Sequence, residues 1–111
     1  MNITCEKMIL AVMSGNDYIE AVRDLNEHGF YATLLSSTGG FLKKKNVTLM
    51  IGLEEAQLEN ALGILEKHAG SRMDTVYVKG SGAPGLPPVP TKVQCGGVTA
   101  FVLHIERCVK F

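Results

Sequence analysis

The sequence predicts an α+β domain in which strands and helices follow one another along a short chain. The chain has 111 residues, a length that suits one domain over 1–111 with one modest core. Apolar runs rich in strand-forming residues occur at 8–13, 30–35, 47–53 and 98–105. Two intervening segments place apolar residues at helical spacing and end at a glycine, which is the second observation behind this prediction.

The first strand and the first helix are predicted from residues 8–28. Met8 to Met13 is a continuous apolar run, which predicts a strand buried on both faces at the centre of a sheet. Asn16 is the predicted N-cap of a helix over 17–28. Gly29 stands just after this helix, where a left-handed backbone is common.

The next two strands flank a glycine-rich segment. Alternation over 30–35 puts Tyr31 and Thr33 on the same face of their strand. Residues 47–53 alternate with the same period, so this strand is expected to pair antiparallel with 30–35. Gly52 within it indicates a bulge or a close approach.

A second helix, an irregular segment and a final strand complete the chain. Glu54 to His68 has the clearest helical pattern, and Gly70 ends it. A short strand-like piece at 75–78 then leads into a run of glycines and prolines, which predicts a long loop before the last strand at 98–105. Such a loop is a candidate lid or partner surface.

This order of elements is the split βαββαβ pattern of a ferredoxin-like sandwich, with both helices on one face of the sheet. The opposite face is apolar and uncovered, and Tyr31, Leu35, Met50 and Phe101 or its neighbours are expected on it. Self-association is the best way to hide such a face, so a closed homo-oligomer is expected.

Composition restricts the classes of partner. Acidic and basic residues number 11 each, so no overall charge draws the chain to duplex nucleic acid or to an anionic membrane. Three cysteines without metal-ligand spacing fit reduced thiols in a cytoplasm, and neither a disulfide framework nor a zinc site is expected. The apolar run near the start is too short for a signal peptide or a membrane span, which favours a cytoplasmic location.

The sequence contains no pattern typical of catalysis. It has no nucleophile and base at a characteristic spacing and no paired carboxylates, and the glutamates of the second helix fit its exposed surface. We therefore expect no enzyme activity, no metal and no cofactor.

The segment 36–46 combines three hydroxyls, two glycines, one aromatic residue and three lysines. Gly39 and Gly40 can turn consecutive N–H groups towards an anion. Phe41 and Leu42 have nothing local to pack against, so the aromatic ring is expected to contact a ligand, another subunit or the far end of the domain. The alternative interpretation is a simple hairpin connection with a solvated lysine edge.

Four strings of residues together resemble the PII-like cyclic di-AMP receptor family of Gram-positive bacteria. They are Phe30-Tyr31-Ala32-Thr33, Thr38-Gly39-Gly40-Phe41-Leu42 with Asn46, Gly70-Ser71-Arg72, and Gly96-Gly97-Val98-Thr99-Ala100-Phe101-Val102. The resemblance covers nearly the whole chain. It implies a bacterial, cytoplasmic homotrimer with cyclic di-AMP in clefts between its subunits, no catalysis, and relay through loop ordering to a protein partner.

The same resemblance implies which residues hold the phosphates. Thr33 and the amides of Gly39 and Gly40 would bind them, with the hydroxyl of Thr38 as a further donor. Tyr31 departs from the family, which usually has a basic residue directly before Ala-Thr. The chain thus lacks a cation that is expected near the phosphates.

The remaining matched residues would bind the base. Phe41 and Leu42 would pack on an adenine, Asn46 would bind a base edge or brace the loop, and Phe101 would stack on the base from the last strand. Room for the ligand would be left by two glycines, Gly52 and Gly97.

Two alternatives remain open at this point. Because Tyr31 replaces a cation, the protein could sense another adenine nucleotide, such as ATP or ADP. It could also be a ligand-free trimeric module whose loops dock on a protein partner.

Overall fold

The computed structural model describes residues 5–35, 46–79 and 85–111. In these ranges it has six strands, two α-helices and one short 3-10 helix. The elements are β1 Lys7–Ser14, α1 Tyr18–Glu27, β2 Ala32–Leu35, β3 Asn46–Leu53, the 3-10 helix Glu55–Gln57, α2 Leu58–Ala69, β4 Arg72–Val78, β5 Val89–Cys95 and β6 Val98–His104.

Four of the strands form an antiparallel sheet in the order β2-β3-β1-β6. β1 lies between β3 and β6 and pairs antiparallel with both, so its predicted central position is confirmed. β2 pairs with β3 at the edge. This strand order, with the two helices between strands, is the ferredoxin-like arrangement that the sequence predicted.

The core lies between the two helices and one face of this sheet. Alternate strand residues point into it, as the period of a β-strand requires. The buried strand residues are Ile9, Ala11, Met13, Leu49, Ile51 and Leu53, and the buried helix residues are Ala21, Leu25, Ala61, Ile64, Leu65 and Ala69. Both helices therefore cover the same face, as predicted.

The other face of the sheet, which we call the open face, carries the alternate residues of each strand. In β1 these are Met8, Leu10 and Val12, and they are only half-buried. The prediction that β1 is buried on both faces is therefore wrong for the single chain. The reason is that both helices pack on one side, and no other described element covers the second.

The segment before β6 differs from its prediction as an irregular loop. β4 and β5 pair antiparallel, from Arg72 opposite Cys95 to Val78 opposite Val89, and form a separate two-stranded sheet. Pro90 lies inside β5, which is tolerated because a strand at the edge of a sheet can leave one N–H position unused. Every residue of β4 is exposed, so this hairpin packs little against the core.

The observed ends of α1 agree only in part with those predicted from the sequence. Asp17, rather than the predicted Asn16, stands at the N-cap position of α1, and the Asn16 N–H instead donates to Ser14 Oγ at 3.3 Å. Gly29 has a φ of 82°, which confirms the left-handed residue after α1. None of the described helices has the length and apolar character needed to cross a membrane.

Candidate functional site

A cavity of about 610 Å³ lies at the end of the sheet where β1 leads into α1. Its size is within the range of small-molecule sites. The residues that line it come from three places: the end of β1 through the start of α1, the start of β3, and the end of β5 with the β5–β6 connection. They are Ser14, Gly15, Asn16, Tyr18, Asn46, Val47, Gln94, Cys95, Gly96 and Gly97.

The register of the sheet brings two predicted ligand residues to this cavity. Asn46 is opposite Ser14 in the β1–β3 ladder, and Met13 is opposite Val98 in the β1–β6 ladder. Gly97 directly precedes Val98. Asn46 and Gly97 therefore lie on the two sides of the β1 end, although 50 residues of chain separate them.

The cavity has a polar but uncharged lining. Side-chain amides come from Asn16, Asn46 and Gln94, and no described lining residue is acidic or basic. An amide offers a donor and an acceptor together, which is the pattern that a nucleobase edge presents. Tyr18 adds an aromatic ring. This lining suits a purine base better than a phosphate group.

Gly97 leaves space beside the cavity. Its φ is 115°, which favours glycine, and nothing lies within 4 Å of the position that a Cβ would occupy. Its N–H donates to the Ala69 carbonyl oxygen at 2.8 Å, which fixes the β5–β6 connection to the end of α2. The backbone at Gly97 is thus held to the end of α2 by this hydrogen bond, while the space on its Cβ side is empty.

Arg72 connects the base of the hairpin to the start of α1, next to the cavity. Its Nη2 lies 2.8 Å from Asp17 Oδ1, and Asp17 is almost wholly buried. The hydrogen bond and the negative charge of Asp17 raise the pKa of Arg72. Gly96 makes this arrangement possible, because a Cβ there would lie 2.5 Å from Arg72 Nη1.

Thr33 and Phe101 share the open face but lie on opposite edge strands. Thr33 is opposite Met50, Met50 is opposite Leu10, and Leu10 is opposite Phe101. Three strand spacings separate the two predicted ligand residues, or about 14 Å. Within one subunit the sheet does not bring them together, although Phe101 is 55% exposed and available for contact.

Gly52 and Tyr31 lie away from the cavity. Gly52 pairs with Met8 without interruption of the ladder, about 20 Å along β3 from Asn46. A Cβ at Gly52 would lie 2.7 Å from Cys5 Sγ, so the predicted close approach is confirmed and a bulge is not formed. Tyr31, just before β2, is 80% exposed.

Five predicted ligand residues lie outside the described ranges. They are Thr38, Gly39, Gly40, Phe41 and Leu42. Their proposed contacts remain predictions.

Sequence analysis missed the contribution of β5 to the cavity. Gln94 and Cys95 line it, and Gln94 Nε2 donates to Ser71 Oγ at 2.7 Å. The alternation of Val89, Thr91 and Val93 is a strand pattern, and it was available in the sequence. The neighbouring prolines led to the prediction of a loop instead.

A second polar cluster lies between the helices. Asp24 accepts a hydrogen bond from His68 Nε2 at 2.7 Å and lies 3.0 Å from His28 Nδ1. The His68 hydrogen bond is the main cause of a lowered pKa for Asp24. In the described ranges, no three His, Cys, Asp or Glu side chains are arranged to hold a metal ion, so this cluster joins the helices rather than forming a metal site.

Comparison with known proteins agrees with the predicted resemblance. A family model described as cyclic-di-AMP receptor matches residues 6–111. The fold is similar to the crystal structure of a functionally unknown protein from Pediococcus pentosaceus, with 31% sequence identity and a TM-score of 0.78. That alignment covers 98% of this chain and all of the other. The fold class and the family predicted from the sequence are both confirmed.

Proposed function

We propose that this chain, which belongs to the cyclic-di-AMP receptor family, senses cyclic di-AMP in clefts between the subunits of a homotrimer. Membership of this family supports nucleotide binding in signalling rather than catalysis. The proposal that the ligand lies between subunits rests on one structural observation. Thr33 and Phe101 lie on opposite edges of the same sheet face. A cleft in which the β2 edge of one subunit meets the β6 edge of the next would bring these residues to one ligand.

The open face supports self-association. Its apolar residues are only half-buried or exposed in the single chain, and three of them, Met50, Leu10 and Phe101, are direct neighbours across β3, β1 and β6. Removing such a surface from water is favourable by about 25 cal/mol per Å². A cyclic trimer would cover it in all three copies by the same contact.

The cavity is the proposed site for one base of the ligand. Asn46 and Gln94 would bind the base edge, and Tyr18 would contact its ring. Thr33 would donate its hydroxyl to a phosphate, together with the donors of the segment 36–45. Neutral donors of this kind bind a phosphodiester without a buried cation.

The uncharged lining favours a cyclic dinucleotide over ATP. A cyclic dinucleotide carries one charge on each of two phosphodiesters, whereas the triphosphate of ATP concentrates more charge and usually needs Lys, Arg or a metal ion. No described lining residue is cationic. Because Tyr31 departs from the family's phosphate site, ATP and ADP are tested beside cyclic di-AMP as the alternative ligands.

The proposed relay uses the hairpin. Gln94 lines the cavity in β5, and Arg72 begins β4 beside it. A ligand that contacts Gln94 would therefore bias the orientation of the hairpin, whose exposed residues would be the surface that a protein partner recognises. The 36–45 segment would order in the same step.

The test is a titration of the purified protein with cyclic di-AMP, ATP and ADP by calorimetry. Cyclic di-AMP is expected to bind, and Asn46→Ala is expected to weaken binding about tenfold, because a typical hydrogen bond contributes about 1–1.5 kcal/mol. Asn60→Ala is the matched control, since Asn60 is exposed on α2. Thermal shift gives an independent check, because ligand at ~100 times its Kd adds about 2.7 kcal/mol of stability.

The result also separates the alternatives. Binding of ATP or ADP with no response to cyclic di-AMP would support the second ligand class. Absence of binding by all three nucleotides, with a stable trimer in light scattering, would support an interaction module without a ligand.

A further inference from the structure

A proline-rich segment lies at the far end of the β4–β5 hairpin. Residues 86–92 read Leu-Pro-Pro-Val-Pro-Thr-Lys, and β5 begins within them at Val89. Val89 is opposite Val78, whereas the base of the hairpin is the pair of Arg72 with Cys95. The length of β4 between these two pairs is about 20 Å, so the segment lies well away from the cavity.

Every residue of this segment is exposed. The exposed fraction is 60% for Leu86 and 54% for Val89, which are both large apolar residues. The protein is elongated, with extents of 67, 27 and 20 Å along its principal axes, as a projecting hairpin requires. Among the described strands, β5 pairs with β4 alone, so its other edge is open to a partner.

The backbone of residues 86–90 is restricted to extended conformations. Proline rings fix φ at about −65° at three of these positions. A residue that precedes a proline is held in the β or polyproline II region, and this applies to the other two, Leu86 and Val89. The segment is thus preorganised as an extended ligand, so a partner that binds it pays a small cost in conformational entropy.

The spacing of the segment is that of ligands for grooves lined by aromatic residues. Two pairs, each an aliphatic residue followed by proline, repeat after three residues as Leu86-Pro87 and Val89-Pro90. A polyproline II helix has three residues per turn, so both pairs face the same side and can fill two neighbouring slots. SH3-type domains recognise Pro-x-x-Pro segments with grooves of this kind.

Lys92 adds a positive charge at one end of this pattern. It follows Pro90 by two residues, its side chain is exposed, and it makes no ion pair with the residues that the structure describes. An acidic group at one end of a partner groove would complement this charge. Such a contact would fix the direction in which the segment binds.

We propose that residues 86–92 are a docking site for a partner domain of the SH3 type, with a groove lined by aromatic side chains and a carboxylate at its end. The aromatic rings receive the two aliphatic–proline pairs, and the carboxylate binds Lys92. The inference rests on the proposed function in taking the hairpin as the partner surface, and it adds the chemistry of the partner. The contact itself needs no nucleotide.

The test adds the full chain, without nucleotide, to an isotope-labelled SH3 domain that prefers Pro-x-x-Pro-x-Lys ligands. The wild-type chain should shift the NMR signals of the groove of that domain, and calorimetry gives the affinity. Pro90→Ala should weaken binding about tenfold, because it empties one slot and frees Val89. Pro88→Ala is the matched control: Pro88 occupies an x position of the pattern, so affinity should fall about twofold at most.

A second pair of variants tests the charge. Lys92→Glu should weaken binding about tenfold at low salt and by a smaller factor at high salt. Lys79→Glu is the control, since Lys79 is an exposed lysine of the same hairpin just after β4, and it should leave the affinity nearly unchanged.

Three results would overturn the proposal. The first is a wild-type chain that leaves the groove signals unshifted. The second is an equal loss of affinity in Pro88→Ala and Pro90→Ala, which would indicate proline content rather than spacing. The third is a change of oligomeric state by Pro90→Ala in light scattering, which would assign the segment to a second copy of the chain. Nucleotide titration is a separate measurement, so failure of cyclic di-AMP to bind would leave the docking result intact.

Discussion

The guanidinium of Arg72 makes two hydrogen bonds to the carboxylate of Asp17, with Nη2 2.8 Å from Oδ1 and Nη1 3.4 Å from Oδ2. Asp17 precedes α1, and Arg72 is the first residue of β4. The pair therefore fixes the base of an otherwise exposed hairpin to the helix that borders the cavity. The planar guanidinium matches a carboxylate in two contacts, which an ammonium group does not.

Arg72→Gln is expected to destabilise the protein. The substitution leaves the nearly buried carboxylate of Asp17 without its cation, and the melting temperature should fall by roughly 5–10 °C. The melting temperature of Arg72→Lys should lie between those of the wild type and Arg72→Gln, because lysine keeps the charge but loses the second contact. Differential scanning calorimetry measures these changes.

The control for Arg72 is the exposed ion pair of α1. Arg23 Nη1 lies 2.9 Å from Glu20 Oε1, and both side chains are mostly exposed. Arg23→Gln should change the melting temperature by less than about 2 °C. Equal effects of Arg72→Gln and Arg23→Gln would contradict the account of the hairpin base.

The stability of the protein should depend on the ionisation of Asp24 in acid. Its pKa is lowered from an ordinary value of 3.8, mainly by the hydrogen bond from His68. A carboxylate with a lowered folded-state pKa contributes stability above its ordinary value, and this contribution is lost as the pH falls through the folded-state pKa. Asp24→Asn should therefore be less stable than the wild type at neutral pH, and the difference should shrink below pH 3.8.

Melting temperatures measured from neutral pH to about pH 3 test this dependence. Glu59→Gln, an exposed position on α2, should follow the wild type throughout. A difference between Asp24→Asn and the wild type that stays constant into acid would exclude Asp24 as the group that titrates.

Two glycine substitutions should have opposite effects on the free energy of unfolding. Gly52→Ala forces a Cβ to 2.7 Å from Cys5 Sγ, so it should destabilise the protein by about 1 kcal/mol. Gly63 lies within α2 with nothing within 4 Å of its Cβ position, so Gly63→Ala should stabilise it by about 0.5–1 kcal/mol.

A second substitution tests whether the Cys5 side chain causes the destabilisation expected for Gly52→Ala. Cys5→Ala shortens the side chain that meets the new methyl group, so it should be less harmful in the Gly52→Ala background than in the wild type. Chemical denaturation of the four proteins gives this coupling energy. Strict additivity would show that the Cys5 thiol is not the obstacle.

Sequence patterns were enough to predict most of the sheet, but not the contacts that distant segments make at its two ends. The faces of β1 and β3 were predictable because alternate burial of Ile9, Ala11, Leu49 and Ile51 follows directly from the two-residue period. The N-cap was displaced by one residue, from Asn16 to Asp17, because both residue types suit that position and the ion pair of Asp17 with the distant Arg72 cannot be read from the local sequence.

The cavity was less predictable than the strands, because it depends on register. Gln94 reaches the cavity only because β5 pairs with β4 and leads into Gly96. The approach of Cys5 to Gly52 similarly depends on how the segment before β1 passes the end of β3. A single sequence gives alternation within a strand, but it does not give the offset between strands distant in the chain.

Tyr31→Arg is expected to strengthen binding of cyclic di-AMP. It restores a cation at the position directly before Ala32-Thr33, where the family resemblance places the phosphates, and Tyr31 is exposed enough to accept the longer side chain. A charge-assisted hydrogen bond contributes about 1.5–3 kcal/mol against about 1 for a neutral one, so affinity should rise roughly threefold to thirtyfold. The gain should shrink as salt is added.

Calorimetric titration at low and high salt measures that change. Tyr77→Arg adds the same charge to an exposed tyrosine on the hairpin and should alter affinity little. An equal gain in both variants would indicate general attraction of an anion rather than a phosphate site beside Thr33.

The most direct measurement of the central claim is complementation between two inactive variants. If each site takes Thr33 from one subunit and Phe101 from the next, Thr33→Ala and Phe101→Ala should each bind cyclic di-AMP weakly as homotrimers. Co-refolded together, they form mixed trimers in which one of the three clefts contains both native residues. Titration of the mixture should recover about a quarter of the wild-type number of sites at wild-type affinity. A mixture that binds no better than either variant alone, while light scattering shows that trimers have formed, would contradict a shared site between subunits.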